Sequence, residues 1–166
     1  MELKPISVSA IPAALDKAER YRLLNQPWAA ESICRDILLA EPDHQLALRV
    51  LLLACSDQFV IDPGAHLALA RETLDRMTDP YERAYYGGII SERQARSHLE
   101  RHTPDAGHMA HEWLMEAMEQ YATAEQLRPA SDDDAILRWN SCVRLIAASP
   151  HVAPREAERL EPVTGE

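Results

Sequence analysis

The chain has little glycine and few aromatic residues, and it lacks runs in which apolar and polar side chains alternate. Of its 166 residues, five are Gly, three Trp, five Tyr and one Phe. Strands depend on alternating β-branched and aromatic residues, so we do not expect a β-sheet core. Leucine, alanine and isoleucine must supply most of the core, which suits packed helices. The composition therefore predicts one all-α domain with a substantial core.

Positive charge is also in deficit, because 17 basic residues face 27 acidic ones and the formal net charge is −10. An acidic surface repels the phosphate backbone of nucleic acids and anionic membranes, so neither is expected as a partner. The longest apolar run, residues 50–55, is far shorter than the roughly 20 residues that span a bilayer. Residues 1–10 contain no apolar segment of signal-peptide length.

Cysteine is scarce, and its three copies, Cys34, Cys55 and Cys142, are far apart in sequence. Each lies within an apolar helical run, so we expect free, buried thiols in a reducing compartment, which favours a cytoplasmic protein. Cys34 lies beside Ile33 and Ile37 on the apolar side of its helix. It is therefore expected to be a structural thiol and not a nucleophile.

Prolines mark the predicted helix boundaries, since the residue before a proline is biased away from the helical conformation. Asp62 precedes Pro63, which places proline at the first helical position. Seven helices are predicted, at residues 11–24, 27–40, 44–58, 63–77, 80–101, 104–127 and 132–147. The helical domain then spans residues 11–148. Residues 1–10 and 149–166 are expected to be flexible, with a short helix at 155–160 left open.

A spacing near the N-terminus is typical of a helical hairpin repeat. It consists of a helix-closing aromatic, a small residue for close helix approach, a position that is usually aromatic and a terminal proline: Tyr21, Ala30, Cys34 and Pro42. Part of this spacing recurs in the last hairpin, at Ala117, Tyr121, Ala124 and Pro129. In the middle hairpin, Ala68 and Pro80 have the matching separation, and Glu72 stands at the usually aromatic position. On these residues the chain resembles the tetratricopeptide repeat family.

The resemblance implies stacked antiparallel hairpins, about three of them, with the helix at 132–147 as a C-terminal cap. The intervals depart from the family's period of about 34 residues. From Pro42 to Pro80 the interval is 38 residues, and from Pro80 to Pro129 it is 49. A generic helical bundle remains open, because alanine and leucine at helical spacing occur in any bundle.

The resemblance also implies a concave groove that binds a protein or peptide and is lined by the first helix of each hairpin. Its lining is predicted from residues that share a helix face: Leu15, Glu19, Arg22, Leu46, Arg49, Leu53, Gly87, Ser91 and Gln94. Arg22 and Arg49 would then donate hydrogen bonds to an acidic group of the partner. The alternative is that both arginines only balance nearby acids such as Glu19 and Asp57.

Four histidines flank the joint between the two longest predicted helices: His98, His102, His108 and His111. The members of each pair are about one helical turn apart, so the four could offer nitrogens to zinc or nickel. A metal-binding helical enzyme or sensor is therefore the alternative to an interaction module. The simpler interpretation is an exposed polar hairpin tip, because the helix-bundle Glu-x-x-His motif is not present on both helices.

Gly87 and Gly88 lie in the middle of a predicted helix, where each costs about 1 kcal/mol relative to alanine. Close helix approach is the favoured explanation, and a kink or a ligand opening is the alternative. The predicted core includes an apolar residue from almost every helix: Leu24, Trp28, Ala30, Ile33, Leu51, Leu52, Leu69, Leu114, Tyr121 and Trp139.

No pair of acidic residues is marked out by an apolar setting, and no catalytic constellation or cofactor motif is evident. We therefore expect a cytoplasmic adaptor that binds a protein or peptide partner, and not an enzyme. A third interpretation is an oligomerisation module, such as a homodimer, because a short hairpin stack exposes its end surfaces.

Overall fold

The computed structural model describes residues 1–155, and all regular secondary structure in this range is helical, which confirms the all-α prediction. After a 3-10 turn at Val8–Ala10, the α-helices are α1 (Ile11–Leu23), α2 (Pro27–Ala40), α3 (Gln45–Ser56), α4 (Pro63–Asp75), α5 (Pro80–Glu100), α6 (Ala106–Leu127) and α7 (Asp134–Ala148). Among them, none combines the length and the apolar character that crossing a bilayer requires.

Local signals in the sequence explain where several helices begin. Prolines occupy the first position of α2, α4 and α5, where a missing N–H costs no helical hydrogen bond. The Asp62 carboxylate caps α4 by accepting from the Ala65 amide at 3.3 Å, and Asp79 caps α5 by accepting from Glu82 at 2.8 Å. Each cap satisfies an amide that has no partner within its helix.

Every helix packs against the next one in the chain, and α5 with α6 forms the longest pair. Alternate helices also touch, since α1 contacts α3 and α3 contacts α5. A side-chain network between α5 and α7, described below, extends this series. The helices α1, α3 and α5 therefore lie side by side, and each of α2, α4 and α6 packs against the two odd-numbered helices next to it in the chain.

Two apolar clusters form most of the core. The first joins α1 to α4 around Leu48, Leu52 and Phe59, and the second joins α5 to α7 around Leu114 and Tyr121. Burial confirms half of the predicted core: Ala30, Leu51, Leu52, Leu114 and Tyr121. Ile33 and Leu69 are partly buried against the first cluster.

The core prediction is wrong for Leu24, Trp28 and Trp139, which are 61%, 66% and 38% exposed. Leu24 caps the C-terminus of α1 at a turn, and Trp28 is the second residue of α2. Trp139 lies next to the buried residues Ala135 and Cys142 on the same side of α7, at the edge of the packed face. All three lie near an end of the helix series, where no further helix of residues 1–155 covers them.

The mid-helix glycines permit close approach of α6 to α5. A Cβ atom on Gly88 would lie 2.4 Å from the ring of Tyr121, and one on Gly87 would lie 3.2 Å from the amide oxygen of Gln120. Gly88 thus provides the space in which the Tyr121 ring lies across α5. This favours the close-approach explanation over a ligand opening.

Both predicted flexible ends have structure in the described range. Ile6 packs on the first cluster and precedes the 3-10 turn, so residues 1–10 are not uniformly loose. Val152 is only 3% exposed in the second cluster, and the His108 Nδ1–H donates to the Ala153 carbonyl at 2.9 Å. The ordered domain therefore continues past residue 148, because a buried valine and a hydrogen bond fix residues 149–153. Most of residues 155–160, for which a short helix is left open above, lie outside the described residues.

Candidate binding surface

A carboxylate between two arginines joins three alternate helices. Asp57, at the C-terminus of α3, accepts from Arg22 of α1 through Oδ2 and from Arg93 of α5 through Oδ1, both at 2.6 Å. Arg93 also donates to the Leu53 carbonyl at 3.1 Å and to the Ser56 hydroxyl. Burial lowers the pKa of Arg93, and the charge of Asp57 opposes that shift. Asp57 thus stabilises a largely desolvated cation.

A second ion pair between an arginine and an acid joins α3 to α5. Arg49 forms an ion pair with Glu82, and its guanidinium carbon lies 6.0 Å from the centre of the Tyr86 ring. The Arg49 Nε is buried and has no hydrogen-bond partner within residues 1–155. Burial raises the pKa of Tyr86 to about 12, so its hydroxyl stays protonated at neutral pH. This corner offers a cation, an aromatic face and a hydroxyl.

A third group contains a buried acid that the sequence pattern did not indicate. Glu92 of α5 is 1% exposed, and its Oε2 accepts from the Tyr121 hydroxyl of α6 at 2.8 Å. Its Oε1 lies 3.2 Å from Arg96 Nη2 and 3.7 Å from Arg138 Nη1 of α7. Burial raises the pKa of Tyr121, and the Glu92 charge adds to that shift. Glu92 therefore ties α5, α6 and α7 together.

We call these three groups together the arginine surface, which comprises Arg22, Arg49, Asp57, Glu82, Tyr86, Glu92, Arg93, Arg96 and Arg138. Five guanidinium groups face three carboxylates, so the surface has an excess of positive charge in a chain of net charge −10. The arginine side chains are partly accessible, from 21% for Arg93 to 43% for Arg96. The surface can therefore donate charge-assisted hydrogen bonds to an anionic group.

Of the predicted groove residues, Arg22 and Arg49 lie on this surface, and both are paired with acids. Arg22 pairs with Asp57, as the alternative interpretation proposed, and Arg49 pairs with Glu82 and not with Glu19. Leu53 is half-buried at the boundary with the second cluster, whereas Glu19 and Leu46 are exposed.

Four predicted groove residues are buried, so their assignment to an open groove is wrong: Leu15, Gly87, Ser91 and Gln94. Leu15 belongs to the first cluster, and Gly87 faces Gln120 and Leu74. On α5 the prediction chose the wrong side of the helix. The long insertion in this hairpin made it uncertain which residues correspond to the groove positions of the other hairpins. Glu82, Tyr86 and Arg93 share the accessible face instead, at a spacing typical of one helix side.

The four histidines do not form a cluster. His98 interacts with Gln94 at 3.4 Å and with Thr103 at 3.2 Å, while His108 bonds to the Ala153 carbonyl. Within residues 1–155, no group of three or more His, Cys, Asp or Glu side chains is placed to hold a metal ion. No observation therefore favours the metal-site alternative.

The three cysteines are free and buried. Burial raises the pKa of Cys34, Cys55 and Cys142 to about 12 in each case. A thiol with so high a pKa forms almost no thiolate at neutral pH. This matches the expectation that Cys34 is structural.

Comparison with known proteins adds no relative, since no protein-family model, curated protein or solved structure matches this chain.

Proposed function

We propose that this chain is a helical-repeat interaction module, similar to tetratricopeptide repeats, that binds an acidic segment of a protein partner on the arginine surface. The observation that carries the proposal is the row of partly accessible arginines across alternate helices of an otherwise acidic chain. The contacts of α1 with α3 and of α3 with α5 support a repeat arrangement, because stacked hairpins place their first helices side by side.

The chemistry of the surface supports a peptide better than a small substrate. Arginines presented by α1, α3, α5 and α7 extend over several helices, so an extended or helical segment can contact several of them at once. Tyr86 adds a ring on which an apolar side chain of the partner can pack. We propose an adaptor role without catalysis, in the cytoplasm, where free buried thiols persist.

Binding to an array of short peptides of graded net charge tests the proposal. Binding should increase with the negative charge of the peptide and weaken as salt is added. The double variant Arg22→Ala with Arg49→Ala should bind the acidic peptides more weakly than the wild type does at the same salt concentration. The matched control is Arg20→Ala with Arg35→Ala, which removes two exposed arginines elsewhere on the surface. The proposal would be refuted if the affinity did not depend on the charge of the peptide. It would also be refuted if the two double variants reduced the affinity equally.

A further inference from the structure

A cavity of about 370 Å³ opens between α2 and α4, with α3 beneath it. Leu51 of α3 and Leu38 of α2 are 2% and 9% exposed, so their side chains form its base. Its lining contains no residue of the arginine surface. We call it the leucine cavity, because most of the residues that line it are leucines: Leu3, Leu38, Leu39, Leu51 and Leu69. Its volume and its largely apolar lining are typical of sites for small ligands.

Polar contacts connect the elements on both sides of the leucine cavity. One helical turn before the lining residues of α2 and α4, Glu31 accepts from the Gln58 amide at 2.8 Å and lies 3.5 Å from His66 Nε2. At the other end, Arg76 follows α4 and donates to the carbonyl of Pro42, which follows α2. The two helices are therefore connected near both their first and their last turns. The cavity between them is elongated and is already formed in the folded chain.

Two arginines line the leucine cavity, and they differ in their partners. Arg35 is neutralised by Glu31, whose Oε1 lies 2.6 Å from its Nη2. Arg76 donates to the Pro42 carbonyl but forms no ion pair with a carboxylate among residues 1–155. The cavity therefore combines an apolar base with one guanidinium that no acid neutralises. A guanidinium has five N–H donors and can bind a carboxylate through two parallel hydrogen bonds, so this arrangement suits a ligand with a single negative charge.

The positions of the lining residues also indicate the length of the apolar part of a ligand. Leu69 and Arg76 are about two helical turns apart, which is about 10 Å along the axis of α4. A chain of this length that starts at Arg76 passes over Leu38 and Leu51 before it reaches Leu69. Leu39 and Leu3, which are 66% and 79% exposed at the cavity, can cover such a chain and lose apolar surface to water contact when they do.

We propose that the leucine cavity binds a medium-chain fatty acid, with its carboxylate on Arg76 and its chain along the leucines towards Arg35. The carboxylate supplies the charge that Arg76 lacks, and the chain gains stability from apolar burial. The neutralised Arg35 at the far end offers no free charge, which fixes the direction of the ligand. This site is separate from the arginine surface and does not depend on the peptide binding proposed above.

Isothermal titration calorimetry on the full chain tests the site with three ligands. Octanoate has both the charge and the chain, octanol has the same chain without the charge, and butyrate has the charge with a short chain. Octanoate should bind at least about tenfold more tightly than either of the others, because each of them lacks one of the two interactions.

Two variants separate the contribution of the charge from that of the chain. Arg76→Gln should weaken octanoate binding at least about tenfold and should leave octanol binding within about twofold of the wild type. Its matched control is Arg71→Gln, because Arg71 is an exposed arginine of α4 whose guanidinium lies over the Trp113 ring and not in the cavity. Leu39→Gln should weaken both ligands. Its control is Leu137→Gln, which changes a leucine of α7 that is 62% exposed.

Three results would overturn the proposal. The first is an affinity for octanol equal to that for octanoate, and the second is an equal effect of Arg76→Gln and Arg71→Gln. The third is a loss of octanoate binding in Arg22→Ala with Arg49→Ala as large as that in Arg76→Gln, which would place the acid on the arginine surface. Circular dichroism confirms that each variant is folded. Leu39→Gln changes an exposed side chain, so its effect on binding can be measured even if Arg76→Gln proves unstable.

Discussion

The hydroxyl of Tyr121 donates a 2.8 Å hydrogen bond to Oε2 of Glu92, a carboxylate that is almost completely buried between α5, α6 and α7. A buried charge is costly unless its oxygens are hydrogen-bonded or paired. Arg96 and Arg138 approach Oε1, which leaves the Tyr121 hydroxyl as the partner of Oε2. This pair is therefore central to the attachment of α6 and α7 to α5.

The variant Tyr121→Phe should destabilise the fold by about 1.5–3 kcal/mol, because it removes a hydrogen bond to a charged group while the ring still fills its site. Urea unfolding measures the loss. Tyr21→Phe is the control, since Tyr21 is only half-buried. Equal stability of the two variants would contradict the structural role assigned to the hydroxyl.

The two mid-helix glycines should respond differently to alanine. At Gly88 a Cβ would lie 2.4 Å from the Tyr121 ring, so overpacking should cost about 1–3 kcal/mol and exceed the gain in helix propensity. At Gly87 the near neighbour is the flexible Gln120 side chain, so the loss should be smaller. Gly64→Ala is the control, because its nearest neighbour lies 3.9 Å away. Thermal unfolding should rank Gly88→Ala as the least stable of the three.

The sequence allowed the positions of the helices to be predicted because their signals are local. Pro63 and Pro80 follow capping aspartates, and each pair marks a helix start without reference to the rest of the fold. The close approach at Gly88 could also be predicted, because a glycine inside a helix needs a compensating contact. These features depend on a few neighbouring residues.

The binding surface and the exposed tryptophan could not be predicted in the same way. An apolar stripe such as that of Trp139 indicates a face to bury, but not whether another helix covers it. The α5 residues of the surface depend on the rotation of α5 against α3 and α7, which the spacing of prolines does not determine. Glu92 and Arg96 have the spacing of a surface ion pair, and only the packing of α6 and α7 buries the carboxylate.

Deleting residues 149–166 should lower the melting temperature more than deleting residues 156–166. The first deletion removes Val152, whose burial contributes about 1.5–3 kcal/mol, and the hydrogen bond between His108 and the Ala153 carbonyl. The shorter deletion keeps both interactions and serves as the matched control. Equal melting temperatures for the two deletions would show that residues 149–155 do not contribute to stability.

The buried thiols should make the fold less stable at high pH. Burial raises the pKa of Cys34, Cys55 and Cys142 from the ordinary value of 9.0 to about 12. Between about pH 9 and pH 12 the unfolded chain therefore releases thiol protons that the folded chain retains, and the free energy of unfolding falls as the pH rises. Urea unfolding across this range should show the decline, and Cys34→Ala should make it shallower. A slope that is unchanged in that variant would exclude a contribution from Cys34.

Asp57→Asn should have opposite effects on stability and binding. In the wild type, Asp57 neutralises Arg22 and Arg93, and its charge stabilises the largely buried Arg93. Asparagine keeps one acceptor oxygen but loses the charge, so the free energy of unfolding should fall by about 1–3 kcal/mol. The same change leaves two guanidinium groups less neutralised on the arginine surface, so an acidic peptide should bind more tightly at low salt. Asp36→Asn, which removes a charge from α2 and not from the arginine surface, is the control and should leave peptide affinity almost unchanged. If Asp57→Asn weakens peptide binding in a folded protein, the acid itself takes part in recognition and the partner is not primarily an anion.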